Sequence, residues 1–199
     1  LSKYNYLKSG RNPWQDPYWY RTEVVLAKSY RGKKVWLILN GINYRADVWV
    51  NGRQVADKKD IVGMFRRFKL DITGYAHAGA NNCIAIKIYQ VDHPGVPTPG
   101  TQLKVFGPVR GHSYDIFKDE TLKISGGWDC APVVRDRNMG IYQKVIVEAT
   151  DEVLIENPFV VTTLPKSTTM PMKVDTGLAK VNIKLEVRNT SAKLVEGKV

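Results

Sequence analysis

The stretch that decides the fold is VWLILNGINYRADVWVNGRQV, residues 35–55. Residues 35–39 are apolar throughout, as expected of a strand that is covered on both faces. Residues 44–50 predict a second strand, and Asn51-Gly52 follows it directly. Asn-Gly is the strongest short-range signal for a tight hairpin turn, so residues 53–55 should begin a returning strand. The stretch therefore predicts antiparallel β-structure.

Similar patterns occur along the rest of the chain. Residues 20–27 are rich in β-formers, and residues 64–70, 83–89 and 141–149 alternate between apolar and polar side chains. No segment of ten or more residues has the 3.6-residue spacing of an amphipathic helix. We therefore predict an all-β fold.

A long irregular stretch rich in glycine and proline separates residues 83–89 from residues 141–149. Long loops in a compact domain are usually functional or disordered. A solvated linker is one interpretation of this stretch. However, it also contains large apolar side chains such as Phe106, Ile116 and Trp128, which favour a folded, functional loop.

The composition changes near residue 150, because all five tryptophans lie before it. Asn157-Pro158 predicts a turn into a new strand, and residues 181–187 alternate like a strand. We predict one domain over residues 1–152 and the opening strands of a second, sandwich-like domain over residues 153–199. The chain begins with Leu, without an initiator Met or an apolar signal segment, so we expect a trimmed piece of a longer protein.

Charge and composition limit the possible partners. The chain has 30 Lys+Arg against 19 Asp+Glu, a net charge of +11, which makes nucleic acid a hypothesis to test. Residues 1–150 account for +10 of this (23 − 13), spread over several hairpins without one basic segment. No run of about 18 apolar residues is present, so no membrane span is expected.

The residues that could do chemistry form no catalytic or metal-binding pattern. Two cysteines do not make a disulfide framework, and Cys83 in an apolar strand predicts a buried, inert thiol. The three histidines lack the spacing of metal ligands, so neither a metal nor another cofactor is expected. Asp129 and Asp136 could form a glycosidase pair, but the arginines beside them favour ion pairing instead. We expect no catalytic residue in this chain.

Two clusters could bind a ligand. The first consists of aromatic residues near the start: Trp14, Tyr18, Trp19 and Tyr20. Such rings can stack on sugar faces, or they can fill the core at a strand entrance. The second cluster is GGWD at residues 126–129, followed by Arg135-Asp136-Arg137. It could contact a ligand, or its charges could form a network that fixes the loop. Both alternatives stay open for both clusters.

The run PYWYRTE, residues 17–23, resembles the WYR signature of the N-terminal sugar-binding domain of glycoside hydrolase family 2. Further matches follow in the family's order and spacing over about residues 13–150. They are residues 35–52, 63–68, 71–73, 92–95 and the block from 127–129 to 140–141. GWD and RDRN in that block resemble the branch of β-mannosidases and exo-β-glucosaminidases.

The resemblance implies a galactose-binding-like jelly-roll β-sandwich, with its first strand missing, followed by a truncated immunoglobulin-like β-sandwich. In this family a downstream (β/α)₈ barrel carries the two catalytic glutamates of a retaining mechanism. Positions equivalent to Trp128 and Asp129 reach the terminal sugar in the matching branch, with Asp136 and Arg137 as supporting candidates. The family usually has a further tryptophan where this chain has Cys130.

The implied partners are the non-reducing end of a β-linked glycoside and the protein's own barrel. No nucleic acid and no membrane partner are expected, and the basic excess is interpreted as a solvated or barrel-facing surface. Export to the periplasm or the cell surface would suit a parent that degrades polysaccharides. The alternative function is an autonomous carbohydrate-binding module. A nucleic-acid-binding protein is a third possibility, which steep salt dependence would reveal.

Overall fold

The computed structural model describes residues 15–95, 114–126, 134, 136–165 and 177–197. The chain forms two compact units, Leu1–Ala149 and Thr150–Val199. The strands of the first unit are β1 Tyr18–Val25, β2 Lys34–Leu39, β3 Ile42–Asn43, β4 Arg45–Val50, β5 Arg53–Val62, β6 Phe68–Asp71, β7 Asn81–Tyr89, β8 Gly140–Ile141 and β9 Val145–Thr150. The helices within the described ranges are short 3₁₀ turns at Lys28–Tyr30, Tyr114–Lys118 and Lys123–Gly126. The all-β prediction is confirmed.

One layer of the first unit is a four-stranded antiparallel sheet in the order β1-β7-β4-β5. The predicted hairpin joins β4 to β5, and both turn residues have positive φ, 50° at Asn51 and 80° at Gly52. Such a turn matches the twist of the two strands it joins. The Asn51 side chain also accepts a hydrogen bond from the backbone N–H of Cys83 at 2.9 Å. The turn is therefore tied to the neighbouring strand β7.

The second layer is a three-stranded sheet in the order β6-β2-β9, and the short strands β3 and β8 form a separate pair. Alternate side chains of β4 and β7 pack against β2 and β6 in one apolar core. This core includes Leu37, Leu39, Val48, Val50, Ile86 and Ile88. Two sheets that share a core form a β-sandwich, as the resemblance implies.

Three local predictions about the first unit are wrong. Residues 64–67 are not a strand: Gly63 has a φ of 99°, and regular pairing begins only at Phe68. The predicted strand 141–149 is interrupted between β8 and β9. The thiol of Cys83 is only half-buried, because Ile84, Ile86 and Ile88 occupy the core face of β7. Periodicity assigned that strand correctly, but the composition of the strand did not show which face Cys83 occupies.

The second unit contains an antiparallel ribbon of β10, Val153–Thr163, and β11, Lys180–Asn189. The turn expected at Asn157-Pro158 is wrong, because both residues lie within β10 at a break in the register. Asn157 has a φ of 51°, so this is a β-bulge, which accommodates a proline that cannot donate a ladder hydrogen bond. Large apolar side chains on both strands are exposed, including Ile155, Phe159 and Ile183.

Among the described residues, no helix is long and apolar enough to cross a membrane.

Candidate functional site

Sequence blocks that are far apart in the chain meet around the short β3–β8 pair. Ile42 pairs with Ile141, and Asn43 pairs with Gly140. This pairing joins the fold-deciding stretch to the loop that follows GWD. That loop carries two of the predicted site residues, Asp136 and Arg137. Its position in the fold therefore depends on the residues around β3.

Asn43 anchors this loop from inside the protein. Its amide nitrogen donates to the carbonyl oxygens of Arg137 at 3.0 Å and Asn138 at 2.9 Å. Its amide oxygen accepts a hydrogen bond from the Thr121 hydroxyl at 2.8 Å. Asn43 is fully buried and Thr121 nearly so. Buried polar groups need partners, so these three bonds form one interdependent set.

Arg137 is also fully buried, with 0% exposure. Its Nε donates to the Pro94 carbonyl at 2.8 Å, and its Nη1 donates to the Val134 carbonyl at 2.7 Å. Arg137 and Asn138 both have a φ of 55°, which is uncommon for residues other than glycine. The guanidinium thus connects the loop to residues 92–95, Asp-His-Pro-Gly, which we call the DHPG motif. The surrounding bonds stabilise an otherwise unfavourable backbone.

The WYR signature also reaches the loop through Tyr20. A Cβ added to Gly140 would lie 2.8 Å from the Tyr20 hydroxyl oxygen, and Gly140 has a φ of 147°. The position therefore requires glycine both for space and for backbone conformation. Next to it, the Asp136 carboxylate accepts the backbone N–H of Asn138 at 2.9 Å. In this way Asp136 closes a local turn at the end of the loop, directly before β8.

The DHPG motif is fixed by two further interactions. His93 contacts the buried Asp119 carboxylate through its backbone N–H and its Nδ1, both at 2.7 Å. Arg45 donates two hydrogen bonds to Asp92, at 2.6 and 2.5 Å. The Arg45 guanidinium lowers the pKa of the Asp92 carboxyl through these bonds. The motif is held between the sheet and the 3₁₀ turns.

Of the four residues predicted to contact or support a ligand, the structure describes only Asp136 and Arg137. Trp128 and Asp129 lie outside the described residues. Asp136 is half-buried, and Arg137 is buried against backbone carbonyls. Arg137 therefore connects two chain segments through their backbone carbonyls, which is the contact pattern of a residue that fixes a loop. Whether any of the four residues contacts a sugar stays a prediction.

The aromatic cluster near the start divides between core and surface. Tyr18 packs against the core, and Tyr20 lies over Gly140. Trp19 points away from the core, is 59% exposed and stacks on Trp49. Trp14 lies outside the described residues. Tyr18 thus has the position that the core interpretation expects, whereas sugar stacking by the exposed Trp19 stays a prediction.

Sequence reasoning missed Asn43 and Thr121 as residues that organise the site. The signal for Asn43 was its position in NGINY, a polar residue between the apolar Ile42 and Tyr44 shortly after the apolar strand 35–39. Such a residue has to be paired if it is buried. Thr121 gave no comparable signal. Within the described ranges, no group of three or more acidic, histidine or cysteine side chains could hold a metal ion.

Comparison with known proteins agrees with this geometry. The model for the glycosyl hydrolase 2 galactose-binding domain-like family matches residues 6–143. An exo-β-D-glucosaminidase of Amycolatopsis orientalis is 30% identical over 90% of this chain, and a mannosylglycoprotein endo-β-mannosidase of Lilium longiflorum is 35% identical over 64% of it. The chain covers only 14% and 12% of these two relatives.

A crystal structure of the Amycolatopsis orientalis exo-chitosanase CsxA has a TM-score of 0.57 and 29% identity, over 88% of this chain and 16% of that one. Residues 6–143, which the family model matches, include all the blocks that meet around β3 and β8. The fold implied by the resemblance, a galactose-binding-like β-sandwich, and the glucosaminidase and mannosidase branch are both confirmed. The chain belongs to the glycosyl hydrolase 2 galactose-binding domain-like family.

Proposed function

We propose that this chain is the non-catalytic, sugar-binding and scaffolding portion of an exo-acting family 2 β-glycosidase. The observation that carries the proposal is that the family model matches most of this chain, while the chain matches only a small part of its relatives. The galactose-binding model matches residues 6–143, and the chain spans only 14% of a related glucosaminidase. A retaining mechanism needs two carboxyl groups about 5 Å apart, and we assign those groups to a barrel elsewhere in the parent.

In this proposal the loop after GWD forms one side of the sugar pocket. Trp128 and Asp129 contact the terminal sugar, by stacking and by hydrogen bonds to hydroxyls. Asp136 and Arg137 are positioning residues, because their described contacts are within the protein. The buried Asn43 bonds support this role, since a loop fixed from inside can present its neighbouring side chains in one geometry.

We further propose that residues 153–199 are the start of an immunoglobulin-like sandwich. The β10–β11 ribbon supports this, because it exposes apolar side chains such as Ile155 and Ile183 that a second sheet would cover. The described hydrogen bond from the Thr190 N–H to the Glu152 carbonyl, 2.7 Å, closes the ribbon at one end. A two-stranded ribbon by itself is at best marginally stable.

The test is hydrolysis of nitrophenyl β-D-mannoside and nitrophenyl β-D-glucosaminide by the purified 199-residue chain. We expect no turnover above buffer. Turnover that persists through purification would overturn the non-catalytic assignment. Calorimetry with mannose, glucosamine and neutral β-linked oligosaccharides tests the alternative of an autonomous module, which requires clear binding of a neutral sugar by the chain alone.

The site assignment is tested in a longer protein that contains this chain and a barrel. Asp129→Ala should lower kcat/KM by about 10- to 100-fold, because a hydrogen bond to a charged group contributes about 1.5–3 kcal/mol. The matched control is Asp57→Ala, an acidic residue on β5 of the same unit. An equal effect of the two substitutions would contradict the assignment.

A further inference from the structure

The outer face of the four-stranded sheet has aromatic rings and cations that the proposed pocket does not use. We propose that this face binds an acidic polysaccharide, one whose sugar rings carry carboxylates. We call it the outer sheet face and define it by six residues: Trp19, Arg45, Trp49, Lys58, Lys87 and Tyr89. The inference does not rest on the function proposed above.

The aromatic part of the outer sheet face is a stacked pair of indoles. The ring centroids of Trp19 and Trp49 are 5.2 Å apart with an interplanar angle of 29°. The two residues lie on β1 and β4, on either side of β7, where Ala85 pairs with Trp49. This small side chain leaves room for the rings to meet. Trp19 remains 59% exposed, so a rigid apolar surface is open to the C–H face of a sugar.

Two lysines are held among these rings. The Lys87 ammonium lies 5.4 Å from the Trp19 ring centroid and 5.1 Å from that of Tyr89. The Lys58 ammonium lies 5.0 Å from the Tyr89 ring centroid. Cation–π contacts at these distances stabilise the position of each charge. Cations that are already placed beside an apolar ring lose less freedom when a carboxylated sugar binds.

An open cleft of about 290 Å³ adjoins these residues. Its lining includes three cations, Arg45, Lys58 and Lys59, and one carboxylate, Asp92. Three residues belong to both the cleft and the outer sheet face: Arg45, Lys58 and Tyr89. A chain whose sugar stacks on the aromatic surface can therefore place a neighbouring carboxylate near an excess of positive charge.

The carboxylates on this face favour an acidic glycan over a nucleic acid. Asp47 accepts a hydrogen bond from the Tyr89 hydroxyl at 2.5 Å, and Asp92 is bound by Arg45. Carboxylate oxygens accept hydrogen bonds from sugar hydroxyls. They repel duplex DNA, which carries one phosphate per about 1.7 Å of helix axis, more strongly than a glycan that carries one carboxylate per sugar ring. Nucleic-acid binding, by contrast, requires a continuous basic patch.

The experiment compares two hexasaccharides of the same backbone by calorimetry with the 199-residue chain. The acidic probe is the hexamer of β-1,4-linked D-mannuronate, and the neutral probe is β-1,4-mannohexaose. We expect the mannuronate hexamer to bind at least 10-fold more tightly, with an affinity that falls as salt increases. Equal binding of the two probes, or no binding of the acidic one at millimolar concentration, would overturn the proposal.

Variants locate the binding. Trp19→Ala and the double change Lys58→Gln with Lys87→Gln should each weaken mannuronate binding at least 5-fold. The matched controls are Phe65→Ala, which removes another exposed ring, and Lys28→Gln, which removes a charge from a surface turn. Circular dichroism checks that each variant is folded.

The proposal is also overturned if the controls weaken binding as much as the test variants, or if a single-stranded oligodeoxynucleotide binds more tightly than the acidic hexamer. Turnover of a nitrophenyl glycoside by the chain would contradict the proposed function and leave this inference intact. The two proposals therefore fail separately.

Discussion

Replacing Asn43 by alanine tests whether the buried amide holds the loop that follows GWD in place. The change removes two donated hydrogen bonds, to the carbonyls of Arg137 and Asn138, and the acceptor of the Thr121 hydroxyl. All three partners would lose a bond in a region where Asn43 has no exposure to water. At about 1 kcal/mol for each bond, Asn43→Ala should lower the free energy of unfolding by about 3 kcal/mol.

Urea unfolding followed by tryptophan fluorescence measures this loss. All five tryptophans precede residue 150, so the signal reports on the first unit. With a slope of about 2 kcal/mol per molar urea, the midpoint should fall by about 1.5 M with the slope unchanged. In thermal unfolding, the same loss corresponds to roughly 6–12 °C.

Asn40→Ala is the matched control. The Asn40 amide donates to the Lys144 carbonyl at 3.1 Å, but this bond is exposed, so water can replace it. We expect a loss below about 1 kcal/mol. If Asn43→Ala costs no more than Asn40→Ala, the argument that the loop is anchored from inside is wrong.

Three further predictions concern ionisation and close packing. Burial and the Asp47 carboxylate raise the pKa of Tyr89 to about 12, so Asp47→Asn should lower this pKa in an ultraviolet titration. The stability that comes from the raised pKa is present below about pH 10 and is lost as the pH rises through 12. Arg45 lowers the pKa of Asp92, so Arg45→Gln should raise this pKa in an NMR titration. The stability that the pair contributes is present above about pH 4 and is lost as the pH falls through the lowered pKa of Asp92. An unchanged Asp92 titration would refute the role of Arg45. Gly140→Ala should lower the free energy of unfolding by about 1–3 kcal/mol, because the new methyl group would lie 2.8 Å from the Tyr20 hydroxyl oxygen. A melting temperature equal to that of the unsubstituted chain would show that the loop can move away.

Much of the fold can be predicted from the sequence because its signals are local. Asn51-Gly52 gives the hairpin, and the alternation of residues 83–89 gives β7 and its core face. The bulge at Asn157 was missed because a proline in a strand looks like a turn until its partner strand is known. The length of β5 was missed because polar residues such as Lys58 and Asp60 fill its exposed positions.

The site is harder to predict, because its parts meet only in three dimensions. The resemblance aligned the DHPG motif and RDRN in order, but spacing along the chain does not show that Arg137 donates to the Pro94 carbonyl. Nor does it show that Tyr20 covers Gly140. Only strand pairing brings these residues together. Their burial then distinguishes a residue that fixes the loop from one that can contact a ligand.

The exposed β10–β11 ribbon also affects how the protein behaves in solution. Both strands present apolar side chains to water, among them Phe159 and Ile183. Within the part of the chain that the structure describes, no third strand pairs with either edge of the ribbon, so its backbone groups can pair with another chain. Such ribbons are templates for self-association. At high concentration the 199-residue chain should therefore form reversible oligomers through its second unit. Charged substitutions at Ile155 or Phe159 should keep it monomeric without altering the sandwich that carries the site.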